Sequence, residues 1–364
     1  MRVSSQPVIP ADKAVPDSSG KILWYDLGLF ALEGKGWDGT QEKYDRLPAK
    51  AEKTVRPEVW NLSKDAAGLC VRFLTDATAI KAKWTLGKKN LAMDHFPANG
   101  VSGIDLYVKT PDGHWRWCGV GRTNAFPDNE FMLMNDPITQ QRREYLLYLP
   151  LYNQLKSLQL GFPNEAEVSA IPLRPAKIKP IVFYGTSITQ GGCASRPGMP
   201  HVAQLGRALN REVINLGFSG NAIMEPEMAE LLAELDPALY VIDCLPNLKP
   251  TEVTERMAPF VRTLRKSHPK TPILLVDTPD YQQAFLVKKS SERMLGSRMN
   301  LKTEFNKLKD EGLENIFYLP GENLFGSDGE ATVDGTHPSD LGFVRQAAVM
   351  EPVIRKILKK SSSR

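Results

Sequence analysis

The sequence predicts an α/β chain in two parts. An all-β, jelly-roll-like sandwich spans residues 21–172, and a doubly wound, five-stranded parallel sheet spans residues 181–364. Three observations predict this. Before Pro172, short apolar runs recur between turn signals such as Pro111-Asp112-Gly113 and Pro127-Asp128-Asn129, the spacing of a sandwich. After Pro180, apolar runs of strand length alternate with longer stretches of helical period, the mark of a parallel sheet wrapped by helices. Between them, residues 173–180 carry two prolines and read as a linker.

The elements follow in order. Residues 1–20 are rich in Ser, Pro and Asp and read as a loose lead-in. Strands are expected at 69–74, 80–86, 103–108, 115–119, 131–134 and 144–149. Beyond the linker, strands are expected at 181–184, 212–216, 239–243, 273–277 and 315–319. Helices are expected between them at 202–209, 227–235, 251–266 and about 292–311. A last helix at 339–358 carries Phe343, Ala347, Met350, Ile354 and Leu358 on one face, with a kink expected at Pro352.

Composition excludes several classes. Lys and Arg number 46 against 42 Asp and Glu, a net charge of +4, with no basic run interleaved with aromatics, so no nucleic-acid partner is expected. The basic end at Lys356, Lys359, Lys360 and Arg364 reads as a solvated tail. No apolar stretch is long enough to span a membrane. Cys70, Cys118, Cys193 and Cys244 fit neither a zinc spacing nor a disulfide scaffold, so no metal or cofactor is expected. The N-terminus lacks the apolar segment of a signal peptide, which leaves a cytoplasmic protein or one whose signal was removed. All six tryptophans, Trp24, Trp37, Trp60, Trp84, Trp115 and Trp117, precede the linker. They read as sandwich packing, with a sugar-stacking surface as the alternative.

Two segments carry candidate chemistry. In the first, an apolar strand runs into Gly185-Thr186-Ser187, then into a Gly-rich turn and a helix. A serine there stands at the carboxyl end of the first parallel strand, where ligands bind such sheets and backbone N–H groups can face a developing oxyanion. A helix cap or an anion cradle would use the same residues. The absence of a Gly-Lys-Ser/Thr ending excludes a P-loop. In the second segment, Asp334 precedes His337 by three residues in a turn ahead of the last helix, so the carboxylate can orient one imidazole nitrogen and leave the other as a base. Two further loops end strands on the same rim: Gly217-Phe-Ser219-Gly220-Asn221, and Asp243-Cys244-Leu245-Pro246-Asn247. A glycine N–H and an amide side chain suit an oxyanion; Asp243 reads as a strand-end loop cap, and Cys193 and Cys244 as small buried thiols. The insert at 280–299, with Tyr281, Gln282, Gln283, Arg293 and Arg298, reads as a polar helix start or a lid.

These four loops, in this order, resemble the blocks of the SGNH (GDSL) hydrolase superfamily over roughly residues 178–358. Gly185-Thr186-Ser187 is similar to the nucleophile block, Ser219-Gly220-Asn221 to the glycine block, Asn247 to the asparagine block and Asp334-Gly-Thr-His337 to the Asp/His block. Gly103-Ile104-Asp105-Leu106-Tyr107 resembles the GxDLY signature of an N-terminal β-domain found with some bacterial esterases. Thr186 stands where the name-giving Asp often sits, and Leu245-Pro246-Asn247-Leu248 lacks the usual Gly and second acid.

The resemblance implies a flavodoxin-like sheet and metal-free hydrolysis of a carboxylic ester. In it Ser187 is the nucleophile, His337 the base and Asp334 its orienter, with Ser187, Gly220 and Asn247 holding the oxyanion. It implies a small-molecule or glycan ester, an acetyl or short acyl group, as substrate, and favours an extracytoplasmic site of action. An acyltransferase using the same three residues is the alternative. A carbohydrate-binding protein beside a silent hydrolase fold is a further one.

Overall fold

The computed structural model describes residues 6–134 and 139–362. The N-terminal part is built from two antiparallel sheets. One carries, in spatial order, Val15–Pro16, Ile22–Asp26, Leu155–Pro163, Ile80–Leu86 and Asp128–Met134. The other carries Val168–Ala170, Cys70–Thr75, Arg143–Tyr148, Ile104–Lys109 and Trp115–Gly121, with Leu32–Glu33 paired to Cys70–Thr75. Ile80–Leu86 shows why these sheets face each other. Ile80, Ala82, Trp84 and Leu86 are buried, and the residues between them are only half-buried. A strand's side chains alternate in direction, so one face makes core. Trp84, Phe73, Leu106, Leu147, Leu158 and Phe162 fill the space between the sheets.

The C-terminal part holds a parallel sheet in the order Val213–Gly217, Ile181–Gly185, Leu239–Asp243, Ile273–Val276, Ile316–Leu319. Numbered along the chain this is 2-1-3-4-5, the flavodoxin-like order, whose switch point lies beside the first strand. The first three strands are buried at every residue, as expected of a parallel sheet covered on both faces. Val182 and Tyr184 pack into one core and Ile181 and Phe183 into the other. Helices His201–Leu209, Pro226–Leu232, Pro250–Ser267, Lys288–Asp310 and Asp340–Ser362 follow the expected positions. The last helix contains Pro352 and runs on through Lys359 and Lys360, where the sequence reads as a tail; Arg364 lies outside the described residues.

Several elements carry only weak signals in the sequence. Leu155–Pro163 is a nine-residue strand at the centre of its sheet, bearing Leu158, Leu160 and Phe162 inward. Its Lys, Ser, Gln and Gly residues dilute the apolar pattern. Helix Pro57–Ser63 is too short for its period to stand out. It matters for packing: Leu47, Ala51, Val55, Val59 and Trp60 join the core beneath the parallel sheet. The buried Arg46 fastens this segment, donating to the carbonyls of Asn215 at 3.1 Å, Gly217 at 2.7 Å, Asp65 at 2.8 Å and Leu62 at 2.7 Å. Chain from before residue 172 thus contributes to the core that carries the site.

Candidate active site

Ser187 opens the short helix Ser187–Gln190 directly after the first parallel strand. Thr186, not Ser187, caps it: the Thr186 side chain accepts from the Ile188 N–H at 3.3 Å. The capping role is therefore taken, and the Ser187 hydroxyl is available for another partner. That partner is His337, whose Nε2 lies 2.8 Å from Ser187 Oγ. His337 Nδ1 lies 2.7 Å from Asp334 Oδ2. An ionised carboxylate only accepts, so Nδ1 carries the proton and Nε2 turns its lone pair toward the hydroxyl. Ser187, His337 and Asp334 are thus brought into one hydrogen-bonded chain.

The Asp334 loop is over-determined. Asp334 Oδ1 accepts from the backbone N–H of Thr336 at 3.0 Å and of His337 at 2.7 Å. Partial burial pushes the Asp334 carboxyl up, but these two N–H groups and the His337 ring together hold it below its ordinary value. The Val333 N–H bonds to His337 O at 2.9 Å and closes the loop. The insert at 280–299 buttresses it from outside. The Gln282 N–H donates to Gly335 O at 2.9 Å, and the Thr332 hydroxyl donates to Gln282 Oε1. Of the insert's arginines, Arg298 is buried and bonds Thr278 O at 2.7 Å, while Arg293 reaches Pro246 O at 2.9 Å.

The two remaining rim loops are stitched to the serine's helix. The Ser219 N–H donates to Gln190 Oε1 at 3.0 Å. Gly220 follows at φ +70°, a left-handed conformation that glycine adopts freely, and no atom crowds its Cβ position. Among the described residues its N–H has no hydrogen-bond partner. Asn247 ends the turn Leu245–Asn247. With its amide oriented by the hydrogen-bond network, its oxygen accepts from the Asn221 N–H at 3.0 Å and the Ala222 N–H at 3.2 Å. The amide NH₂ is then the end left to donate elsewhere. The Ser187 N–H, in the first turn of its helix, likewise has no intrahelical partner.

Three further side chains lie near the serine, and two of them, Tyr152 and His95, carry no signal in the sequence. The Tyr152 hydroxyl, from the chain before the linker, donates to Ser187 O at 3.2 Å. His95, also from before the linker, places its ring 5.8 Å from that of His337. Asp94-His95 sits in a loop without periodicity, and only long-range packing brings it here. Cys193 follows the serine's helix, and burial pushes its thiol up to about 12. All four cysteines are free, and Cys70, Cys193 and Cys244 are buried.

Asp243 differs from its expected role. It accepts from the Thr189 hydroxyl at 3.3 Å and from no loop N–H among the described residues. Burial pushes its carboxyl up to about 7. Burial likewise lowers the imidazole of His201 to about 3. Their 3.9 Å separation is too long for a hydrogen bond.

The Gly103–Tyr107 motif has a structural explanation. Asp105 is fully buried and reaches out of its sheet to the loop after the serine's helix. Its carboxylate accepts from Arg196 Nη1 at 2.8 Å, from the Gly198 N–H at 2.8 Å and from Trp117 Nε1 at 2.9 Å. A Cβ at Gly198 would lie 2.3 Å from the Tyr107 ring, so only glycine permits this approach. The same loop is tied to the last helix through Ser195, whose N–H and hydroxyl both donate to Asp340.

With this serine–histidine–aspartate chain on a flavodoxin-like rim, the comparisons with known proteins place the molecule. The chain belongs to the GDSL-like lipase/acylhydrolase family, which it matches over residues 178–355; residues 22–168 match the GxDLY family, the N-terminus of SGNH-hydrolase-type esterases. A crystal structure of a GDSL-like lipase from Bacteroides ovatus ATCC 8483 is 36% identical with a TM-score of 0.87, covering 93% of this chain and 98% of that one. A salicylyl-acyltransferase from a tetracycline biosynthetic pathway is 17% identical with a TM-score of 0.73, covering 96% of this chain and 98% of that one. A family two carbohydrate esterase from Clostridium thermocellum, solved with cellohexaose, is 14% identical with a TM-score of 0.56, covering 81% of this chain and 96% of that one. The last two share the fold. No curated protein matches the sequence. No helix among the described residues is long and apolar enough to cross a membrane.

Proposed function

We propose that this chain is a serine esterase that cleaves a short acyl ester, an acetyl ester in the first instance, through an acyl-enzyme on Ser187. The observation that carries the proposal is the unbroken chain from Ser187 Oγ through the His337 ring to Asp334, at 2.8 Å and 2.7 Å. His337 takes the hydroxyl proton as Ser187 attacks the ester carbonyl, and Asp334 stabilises the imidazolium that forms. The oxyanion is received by the N–H groups of Ser187 and Gly220 and the NH₂ of Asn247, three rim donors without another partner among the described residues. His337 then protonates the leaving alcohol and activates water for deacylation. No step needs a metal or cofactor.

In this reading residues 21–172 form a jelly-roll-like sandwich domain, 173–180 the linker and 181–364 the catalytic domain. The alcohol is a small molecule or a glycan, as in the carbohydrate esterases of the same fold. The sugar-stacking role of the tryptophans finds little support, because Trp24, Trp60 and Trp84 are buried in cores. Trp117 is half-exposed but spends its N–H on Asp105. An acyltransferase with the same residues is favoured by one observation, the full-length similarity to the salicylyl-acyltransferase. The test is a fluorophosphonate probe with p-nitrophenyl acetate hydrolysis, on the protein and on Ser187→Ala. Labelling at Ser187 and a loss of turnover on the order of 10⁶ are expected. Turnover surviving in a folded Ser187→Ala protein overturns the assignment, and acyl transfer to an added alcohol in preference to water selects the acyltransferase.

A further inference from the structure

We propose that the active site also forms a three-ligand site for a borderline-soft divalent cation such as Zn²⁺, made by His95, Cys193 and His337, and that the cation switches the enzyme off. The switching half of this inference rests on the esterase reading of His337; the binding half does not.

The geometry carries it. The three side chains come from separate segments, yet one donor atom of each lies within 4.8 Å of the other two. Tetrahedral zinc, with Zn–N near 2.0 Å and Zn–S near 2.3 Å, holds its ligand atoms roughly 3.3–3.8 Å apart. A contraction of about an ångström therefore brings the three donor atoms to these spacings. The donor set is also right, since two imidazoles and a thiolate select zinc-like cations over magnesium or calcium. The segments are anchored where it counts. His95 sits in a turn closed by the paired N–H···O bonds of Met93 and Phe96, and the Phe96 ring packs edge-on against Tyr152 at 5.1 Å. His337 is held by Asp334 through Nδ1, an arrangement that orients and strengthens a metal-binding imidazole.

On binding, the Cys193 thiol gives its proton to solvent as the metal–sulfur bond forms. The lone pair of His337 Nε2 goes to the cation instead of the Ser187 hydroxyl. The base is then lost while Ser187 and the rest of the fold stay in place. Three protein ligands leave a fourth position, open to water or to a carboxylate product.

Two variants separate the ligands from the catalytic residues. His95→Gln alters an exposed side chain. Cys193→Gly removes the thiol at a residue whose φ of +74° suits glycine. The metal is read in two ways on the full chain. Co²⁺ is titrated as a spectroscopic probe for its thiolate charge-transfer band, also in Ser187→Ala, where no turnover is needed. Zn²⁺ is titrated against p-nitrophenyl acetate hydrolysis, each variant being compared with its own rate in chelator.

The expected result is a thiolate band that Cys193→Gly abolishes and His95→Gln weakens. Inhibition should be reversed by chelator and be at least about tenfold less sensitive to Zn²⁺ in both variants, about 1.4 kcal/mol. Absence of the band in the intact protein, or inhibition unchanged in both variants, overturns the site. A Cys193-dependent band in a protein with no esterase turnover keeps the site and overturns the esterase reading instead.

Discussion

Replacing Asp243 by asparagine should make the protein more stable, and the gain should grow with pH. The carboxyl lies in the core at the end of the central strand, with one hydroxyl donor, and sits at about 7 instead of its ordinary 3.8. Below the ordinary value, folded and unfolded chains both hold this proton and it contributes nothing. Between about pH 4 and 7 only the folded chain holds it, so stability falls as pH rises, by about 1.4 kcal/mol per unit. Above about 7 the loss is complete, a little over three units or about 4 kcal/mol. An asparagine never ionises and can still accept from Thr189, so the variant escapes this loss. His201, held neutral by burial, acts in the opposite sense: its contribution is full above about 6.5 and is lost as pH falls toward 3. It is present in both proteins and cancels in their difference, although the variant alone should show its acid slope unmasked. The assay is urea unfolding of both proteins from about pH 5 to about pH 8, where the difference should widen by about 2–3 kcal/mol. A difference that does not change with pH would refute the claim that folded Asp243 holds a proton.

The other expectations concern the rim and its supports. Asn247→Ala should lower kcat by about 10²–10³ with little change in KM, because it removes one of the proposed oxyanion donors, whose interaction is realised only in the transition state; steady-state kinetics on p-nitrophenyl acetate checks it. Asp334→Asn should lower kcat on the order of 10⁴ while His337 stays in place, since an amide can stabilise the wrong tautomer and no imidazolium; the same kinetics, with fluorophosphonate labelling rates, reads it. Asp105→Ala should destabilise the fold by about 3 kcal/mol or more by stranding the Arg196 guanidinium and two N–H donors. Asp105→Asn should lose less, and the denaturant midpoints of the two variants decide it.

How much of this was legible in the sequence follows the range of the interactions. The five parallel strands were legible because both of their faces are covered, so their apolar runs are nearly continuous, as in Ile181–Tyr184. Ile80–Leu86 was legible for the opposite reason, one face buried and one not. The nine-residue strand Leu155–Pro163 was hidden because its polar residues interrupt the pattern, although it pairs on both sides with strands distant in sequence. The same division runs through the site. Asp334 and His337 are three residues apart, and the loop that makes them partners is closed by its own backbone, so the pair could be read locally. Ser187 lies 150 residues from His337, and they could be joined only through a topology that returns every strand end to one rim. Even that topology is silent about His95, Tyr152 and Asp105, because these come from the other half of the chain. Asp105 shows what such a residue does. A recurring sequence signature invites a search for chemistry, yet here its acid serves as a buried fastening between a β-sheet and the loop behind Ser187. A one-residue slip of that strand would turn Asp105 to the opposite face and leave Arg196 and Gly198 without their acceptor, so the register of the N-terminal sheet is a condition for the shape of the site.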